Sequence, residues 1–386
     1  MRKQIKLALK NPGLAWHKAR LTLLSGLVAR WQLLMTDGCA RPPRVVAVRL
    51  TNLCNMNCKM CGQPKLGDKD IPSCFFKEHM SVEEWKGVVD QIVSFKPTLY
   101  LWGGEPLLFR GVFDLISYAK SRGLTVQINT NGFLLERFAQ EIIDSELDDL
   151  IISIDGPEKM HDSIRGVPGA FQKIRKGVKA VLSRRAPGKR GKPVIRIRGT
   201  IMPENYTYLA ELVEITRDFG GDSLNLNHLW FTSLQRGRAY EDMMARRFGI
   251  EAISWKGFIF EPGDLDLESL ISEFRAFRTI SAEFPITISP RLKEEELAKY
   301  YGDLDFTCGA KTCLAIYFKT YLMPNGDVTT CPDFPDYVAG NVRGKELLQI
   351  WNGDKYRDFR NHLKKIKQLP VCSRCCDLFV SDVEFL

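Results

Sequence analysis

Cys54, Cys58 and Cys61 stand in the run Thr51-Asn52-Leu53-Cys54-Asn55-Met56-Asn57-Cys58-Lys59-Met60-Cys61-Gly62. Thiolates at this C-x3-C-x2-C spacing can hold three irons of a four-iron cluster, which normally takes four cysteine ligands. The fourth iron is then open to a substrate or cofactor, so the trio suggests chemistry as well as structure. A structural zinc or iron–sulfur knuckle is the plainer alternative, but such sites close their coordination with four ligands. No fourth cysteine follows at that spacing, because Cys74 lies thirteen residues past Cys61, beyond a polar loop.

A second group follows residue 300. Cys308-Gly309-Ala310-Lys311-Thr312-Cys313 precedes Met323-Pro324-Asn325-Gly326-Asp327-Val328-Thr329-Thr330-Cys331, and Cys372-Ser373-Arg374-Cys375-Cys376 comes last. Asn325-Gly326 between Tyr321-Leu322 and Val328-Thr329 predicts a hairpin that brings Cys313 and Cys331 together. Cys372 and Cys375 supply two further thiolates, a set that suits either a four-iron cluster or zinc. Six cysteines cannot give eight ligands, so one site through Cys313, Cys331, Cys372 and Cys375 is the simplest count. Cys308 or Cys376 can replace a member or serve a second, incompletely ligated cluster. Asp333, two residues after Cys331, is a candidate substrate base, with a loop-capping carboxylate as the plainer reading. Eleven cysteines in 386 residues without a clear secretory pattern point to metal binding in a reducing, cytoplasmic compartment.

The chain must position these groups. Apolar strand-like runs at Val45–Leu50, Thr98–Trp102, Thr125–Asn129, Leu150–Ile154, Val194–Thr200 and Leu224–Leu229 alternate with helical patterns. Such alternation predicts an α/β fold of parallel strands joined by helical crossovers. Six units suit a partial (β/α)6 TIM-like barrel, where chemistry sits at the C-terminal strand ends. The first cysteine trio follows the first strand, as that geometry requires. Four regions are expected: a basic amphipathic segment over 1–44, the barrel over 45–231, an irregular, partly helical connection over 232–306, and a small α+β cysteine extension over 307–386.

Polar runs fall at the later strand ends. Trp102-Gly103-Gly104-Glu105-Pro106-Leu107 combines glycines that permit close approach with a glutamate able to accept from an ammonium group. Asn129-Thr130-Asn131-Gly132, Ser153-Ile154-Asp155-Gly156 and His161-Asp162-Ser163-Ile164-Arg165-Gly166 follow. Arg165 is suited to a carboxylate, with a surface ion pair as its plainer role.

Taken together, these motifs resemble the radical SAM superfamily over residues 45–230. The resemblance implies that the Cys54/Cys58/Cys61 cluster binds S-adenosylmethionine through its amino and carboxylate groups. An electron from the cluster then yields methionine and a 5′-deoxyadenosyl radical. Cofactor contacts are implied at Met60, Gly103, Gly104, Glu105, Pro106, Asn131, Ser153, Asp155 and Arg165. Gly340-Asn341-Val342 and Leu348-Gln349-Ile350-Trp351-Asn352 before Cys372 resemble the SPASM or shortened twitch-like extension. That resemblance favours one auxiliary four-iron cluster over zinc, and a flavodoxin- or ferredoxin-type electron donor.

Charge bears on partners. Of the net +9, +8 falls in residues 1–44, where nine lysines and arginines face the single acid Asp37. The nearly neutral body argues against a nucleic-acid-binding face. Leu21, Leu24, Leu27, Val28, Trp31, Leu34 and Met35 recur at helical spacing, interrupted by Arg30, in a run too short to span a bilayer. Residues 1–35 either lie on an anionic membrane surface, at the inner face, or cap the bottom of the barrel. Three functions are weighed. One is an enzyme acting on a small or lipid-linked carbohydrate or lipid, with a redox, epimerising or crosslinking outcome. Another is a peptide-modifying maturase, against which the short stretch before the first strand counts. The last is a non-enzymatic iron–sulfur scaffold, which has no need of the Gly-Gly-Glu-Pro loop.

Overall fold

The computed structural model describes residues 25–64, 74–186, 191–260, 265–379 and 384–385. Strands β1 (Val45–Arg49), β2 (Thr98–Trp102), β3 (Thr125–Thr130), β4 (Asp149–Ser153), β5 (Val194–Ile201), β6 (Ser223–His228) and β7 (Ile286–Ser289) lie parallel in chain order. β8 (Lys319–Leu322) pairs in parallel with the other edge of β1. Antiparallel β9 (Asp327–Thr329) and β10 (Val338–Asn341) extend that side, and β11 (Glu384–Phe385) pairs with β7. The order β10-β9-β8-β1-β2-β3-β4-β5-β6-β7-β11 does not close on itself, as a partial barrel requires.

Crossover helices cover the outer face. They are α2 (Val82–Ile92), α3 (Val112–Ser121), α4 (Ala139–Asp144), α5 (Glu158–Arg165), α6 (Ala170–Arg184) and α7 (Leu209–Asp218), after α1 (Ser25–Met35). α2 shows how local sequence sets a boundary. The Ser81 hydroxyl accepts from the Glu84 amide at 3.2 Å, and the Glu84 carboxylate accepts from the Ser81 amide at 2.7 Å. This capping box starts a helix that buries Trp85, Val88, Val89 and Ile92. Val46, Val48, Leu99, Leu101, Val126, Ile128, Leu150, Ile152, Ile195 and Ile197 face these helices in one core. The strand period of two therefore turns Ala47, Arg49, Tyr100, Trp102, Asn129, Ser153, Arg196 and Arg198 into the lumen.

The structure adds elements at two places. The parallel set contains more than six strands, because β7 and β8 join its edges. The 232–306 stretch, expected as irregular before its helices, holds α8 (Leu234–Phe248) and β7 besides α9 (Leu267–Thr279) and α10 (Glu294–Gly302). β7 has only four residues between Pro285 and Pro290, too short for a strand pattern to stand out. α8 buries only Gly237, Tyr240 and Met244, so charged residues mask its periodicity.

The C-terminal part is tied to the start of the chain by Arg360 on α12 (Asp354–Ile366), which follows α11 (Leu347–Trp351). The buried guanidinium donates to the carbonyls of Ile316 at 2.9 Å, Gly38 at 2.9 Å and Trp351 at 2.7 Å. It also stacks over Trp351 and Tyr356, 3.9 and 4.2 Å from their ring centres.

The α1 helix rests beside the turn Ala315–Tyr317 that leads into β8. Ala29 and Gln32 face inward, and the Gln32 amide donates to the Tyr317 carbonyl at 3.3 Å. Leu27, Trp31, Leu34 and Met35 are instead 52–70% exposed. Among the described residues α1 thus buries Ala29 and Gln32 and leaves Leu27 and Trp31 exposed, and Leu24 lies outside the described residues.

Replacing Arg360 by Met should leave three buried carbonyls without their donor. The expected loss is about 3 kcal/mol, read as a fall in the urea midpoint. An unchanged midpoint would show that the aromatic stack alone holds these segments.

Candidate active site

The loop after β1 carries Cys54, Cys58 and Cys61 and is stitched to its neighbours by backbone bonds. Gly104 donates to the Thr51 carbonyl at 2.9 Å, and Glu105 to the Leu53 carbonyl at 2.8 Å. On the other side Asn57 donates to Arg165 at 3.1 Å, and Lys59 to Ile164 at 2.9 Å. The paired glycines have a clear physical cause. A Cβ at Gly104 would lie 2.1 Å from the Leu53 carbonyl oxygen, and one at Gly103 2.6 Å from that of Thr51. The close approach foreseen for a ligand is thus made by the cysteine loop's own backbone.

Glu105 lies beneath this contact, fully buried. Its carboxylate accepts from the Leu107 amide at 3.0 Å, the Thr130 hydroxyl at 2.7 Å and the Asn131 amide at 2.8 Å. Burial pushes its pKa above the ordinary carboxylate range, and these donors oppose the rise. Glu105 therefore clasps the ends of β2 and β3 together. Pro106 is buried beside it, whereas Met60, Gly103 and Gly104 are half-buried at the rim.

Two donors reach the cysteine sulfurs. The Asn131 amide nitrogen lies 4.0 Å from Cys54 Sγ and 2.7 Å from the Asn55 side-chain oxygen. Arg165 Nη1 lies 3.6 Å from Cys58 Sγ, while its Nε and Nη2 each lie 2.6 Å from Asp155 Oδ2. Burial disfavours the Arg165 charge, but Asp155 and then Cys58 outweigh it and hold the pKa above its usual value. Ser153 is buried at the end of β4. His161, its pKa lowered by burial to about 3, stays neutral and accepts from the Asp155 amide through Nδ1 at 3.3 Å. Burial raises the Cys58 thiol pKa and pushes that of Cys54 up to about 11, so a bound metal must displace their protons. Three thiols on one loop, two of them exposed and two met by donors, fit a cluster with one open iron.

Cys313, Cys331, Cys372 and Cys375 line a single cavity with Tyr321, Thr330 and Asp377. Cys308 and Cys376 are not among its lining residues. Cys331 follows β9 of the hairpin expected at Asn325-Gly326, and Cys372 and Cys375 bracket a short turn. Burial raises the thiols of Cys313, Cys331 and Cys372, the last to about 12, and the neighbouring Cys376 followed by burial raises that of Cys375. Among the described residues no three Cys, His, Asp or Glu converge tightly enough to hold one metal ion. Asp377 accepts from Lys319 at 2.5 Å and from the Tyr321 hydroxyl. Asp333 is half-buried, and desolvation followed by Asp377 raises its pKa to about 7 against Arg49 and Lys319.

The sequence reading missed the lumen. Arg198 donates to the Tyr100 hydroxyl at 3.1 Å, and Arg196 to Asp149 at 2.5 Å. Arg49 lies over Trp102, 5.6 Å from its ring centre. The strict alternation in Val194-Ile195-Arg196-Ile197-Arg198 carried that signal, because a buried parallel strand has no other reason to alternate with arginine.

Residues 48–216 match the family model of the Radical SAM superfamily, and residues 313–376 that of SPASM, an iron-sulfur cluster-binding domain. The Fe-coproporphyrin III synthase of Methanosarcina barkeri is 33% identical over 361 residues, which cover 88% of this chain and 82% of that protein. The pre-heme d1 synthase of Dinoroseobacter shibae is 31% identical over 328 residues, 81% and 74% of the two chains. Streptococcus suis SuiB bound to S-adenosylmethionine has a similar fold, with a TM-score of 0.55 at 16% identity over 86% of this chain and 72% of that one.

Changing Glu105 to Ala should strip the acceptor from two backbone amides and a hydroxyl. A loss of about 2–4 kcal/mol is expected in urea unfolding, at the upper end of what one buried polar deletion causes. Cofactor affinity measured by calorimetry should fall as well. Loss of affinity with unchanged stability would assign Glu105 to the ligand alone.

Proposed function

Because the chain belongs to the radical SAM superfamily and carries a SPASM iron–sulfur domain, we propose that it takes hydrogen from a small-molecule substrate by reductive cleavage of S-adenosylmethionine. When bound at Cys54, Cys58 and Cys61, the cluster supplies the electron that generates the 5′-deoxyadenosyl radical. The observation that carries this reading is the shared rim. The cysteine loop, Glu105, Asn131, Asp155 and Arg165 meet at the C-terminal ends of β1 to β4 and the helix that follows. Arg165 and Asn131 hold the sulfur-bearing loop in place through Cys58 and Asn55. Glu105 fixes the strand ends that must accept the cofactor's methionine end.

Small molecules are favoured over peptides by the relatives that match along most of the chain, which are named for porphyrin-type products. Those names give no support to a carbohydrate or lipid substrate. A second centre in the cavity of Cys313, Cys331, Cys372 and Cys375 favours a redox outcome, because it can take an electron from a substrate radical. A flavodoxin- or ferredoxin-type protein is the proposed electron donor.

Attachment to an anionic membrane surface is also proposed. No helix of the described residues is long and apolar enough to cross a membrane. Leu27, Trp31, Leu34 and Met35 are exposed in a segment that carries most of the net charge. Apolar side chains beside lysines and arginines suit the headgroup boundary.

Anaerobic reconstitution should load about eight irons per chain. Changing Cys54, Cys58 and Cys61 together to Ala should remove about half and abolish 5′-deoxyadenosine, assayed by liquid chromatography. Persistent 5′-deoxyadenosine would sink the assignment. Changing Trp31 and Leu34 to Glu should abolish co-sedimentation with phosphatidylserine vesicles without shifting the melting temperature. Absence of vesicle binding by the unmodified chain at low salt would refute the membrane reading.

A further inference from the structure

The lumen contains a set of buried donors with nothing to donate to. Arg49, only 2% exposed, has Nε and Nη2 without a hydrogen-bond partner among the described residues. Trp102 Nε1 and Arg198 Nε are unpartnered too. The strand registers set these groups on one face near the C-terminal ends. Arg49 is level with Trp102, and Arg198 is level with Ser153. Tyr100, two residues before Trp102, reaches across to Arg198 with its hydroxyl.

Neighbouring carboxylates are largely taken. Asp149 accepts from Arg196 and Gln127, Asp377 from Lys319 and Tyr321, and Asp155 from Arg165. Asp333 and Cys61 attract Arg49 electrostatically, but no hydrogen bond joins either to it among the described residues. Burial lowers the Arg49 pKa to about 10, which leaves it charged at neutral pH. A buried, charged guanidinium without a bonded acceptor is destabilising unless a ligand completes it.

We infer that Arg49 and Arg198, with Trp102 between them in the strand order, form a subsite for a substrate carboxylate in the barrel lumen. The inference rests on the enzymatic reading above and names the substrate class: a molecule bearing carboxylates on an apolar, ring-like body. Guanidinium forks match carboxylates in geometry, and the Trp102 and Tyr100 rings offer apolar walls to the rest of the molecule. The unpartnered atoms of the subsite are all N–H donors, which select an acceptor-only group, and neutral carbohydrate hydroxyls are not one.

The test uses the reconstituted full chain and coproporphyrin III, a tetracarboxylate, followed by its absorbance and by tryptophan quenching. Its tetramethyl ester serves as the uncharged control. Binding of the acid at least about tenfold tighter than the ester is expected, as for a charge-assisted contact. Arg49→Met and Arg198→Met should each weaken acid binding by at least about tenfold. Arg49→Met should also raise the melting temperature or leave it unchanged, because an uncompensated buried charge has gone while the packing against Phe75 and Trp102 remains. Arg49→Lys should restore part of the affinity. Failure of the acid to bind, equal binding of the ester, or unchanged affinity in the Met variants would overturn the subsite. So would an Arg49→Met variant that binds the acid normally but alters the electron spin resonance of the first cluster. Cleavage of S-adenosylmethionine by the unmodified chain is scored separately, so the failure of the parent reading is distinguishable.

Discussion

The backbone contact between Thr51–Leu53 and Gly103–Glu105 is the constraint on which the site depends. Two amide bonds join the loops, and either Cβ added at the glycines would strike a carbonyl oxygen. Without that approach the cysteine loop would stand away from β2, and Glu105 would not lie under it. Glu105 then carries the same registration to β3 through Thr130 and Asn131. One close backbone approach therefore sets the height of the sulfur-bearing loop above three adjacent strand ends.

Charge in the interior is handled in two ways. Asp155 with Arg165, Asp149 with Arg196 and Asp377 with Lys319 are ion pairs joined at 2.5–2.6 Å. Such pairs add geometric definition more than stability, since desolvation offsets much of the attraction. Asp155 shows the structural use, because it also accepts from the Thr200 amide at 3.1 Å and so joins β5 to Arg165. Arg49 and Arg198 belong to the other kind, groups whose hydrogen bonding the fold leaves incomplete. Arg49 is the sharper case, since both its buried Nε and Nη2 lack an acceptor among the described residues, whereas Arg360 places three bonds on main-chain carbonyls.

Much of the frame was legible in the sequence because β1 to β6 are short apolar runs bounded by turns. Their observed limits fall within a residue or so of those read from the pattern. The cysteine spacing likewise placed Cys313, Cys331, Cys372 and Cys375 around one cavity. What was not legible depends on long-range contact. β7 is recognisable only from its pairing with β6, and the parallel pairing of β8 with β1 joins residues far apart in sequence. Arg165 stands at the rim where the resemblance implies a cofactor contact, and its guanidinium is paired with Asp155. Sequence showed that an arginine stood at the rim but not which acid stood opposite.

The pairing of β8 has a mechanical consequence for chemistry that uses two iron–sulfur centres. β8 is bonded to β1 on one side and to β9 on the other, with Leu322 opposite both Val48 and Val328. The first cysteine loop leaves the end of β1, and Cys331 leaves the end of β9. Both loops are thus carried by strands of one sheet, with a single strand between them. A flexible linker between two domains would let that spacing vary, and electron transfer or substrate positioning between centres would vary with it. Sheet hydrogen bonds remove that freedom. Asp377, held by Lys319 and Tyr321 of β8, fastens the last cysteine segment to the same strand. The auxiliary cysteines are therefore built onto the barrel wall, which explains why Asp333, two residues past Cys331, feels the charges of both Arg49 and Lys319.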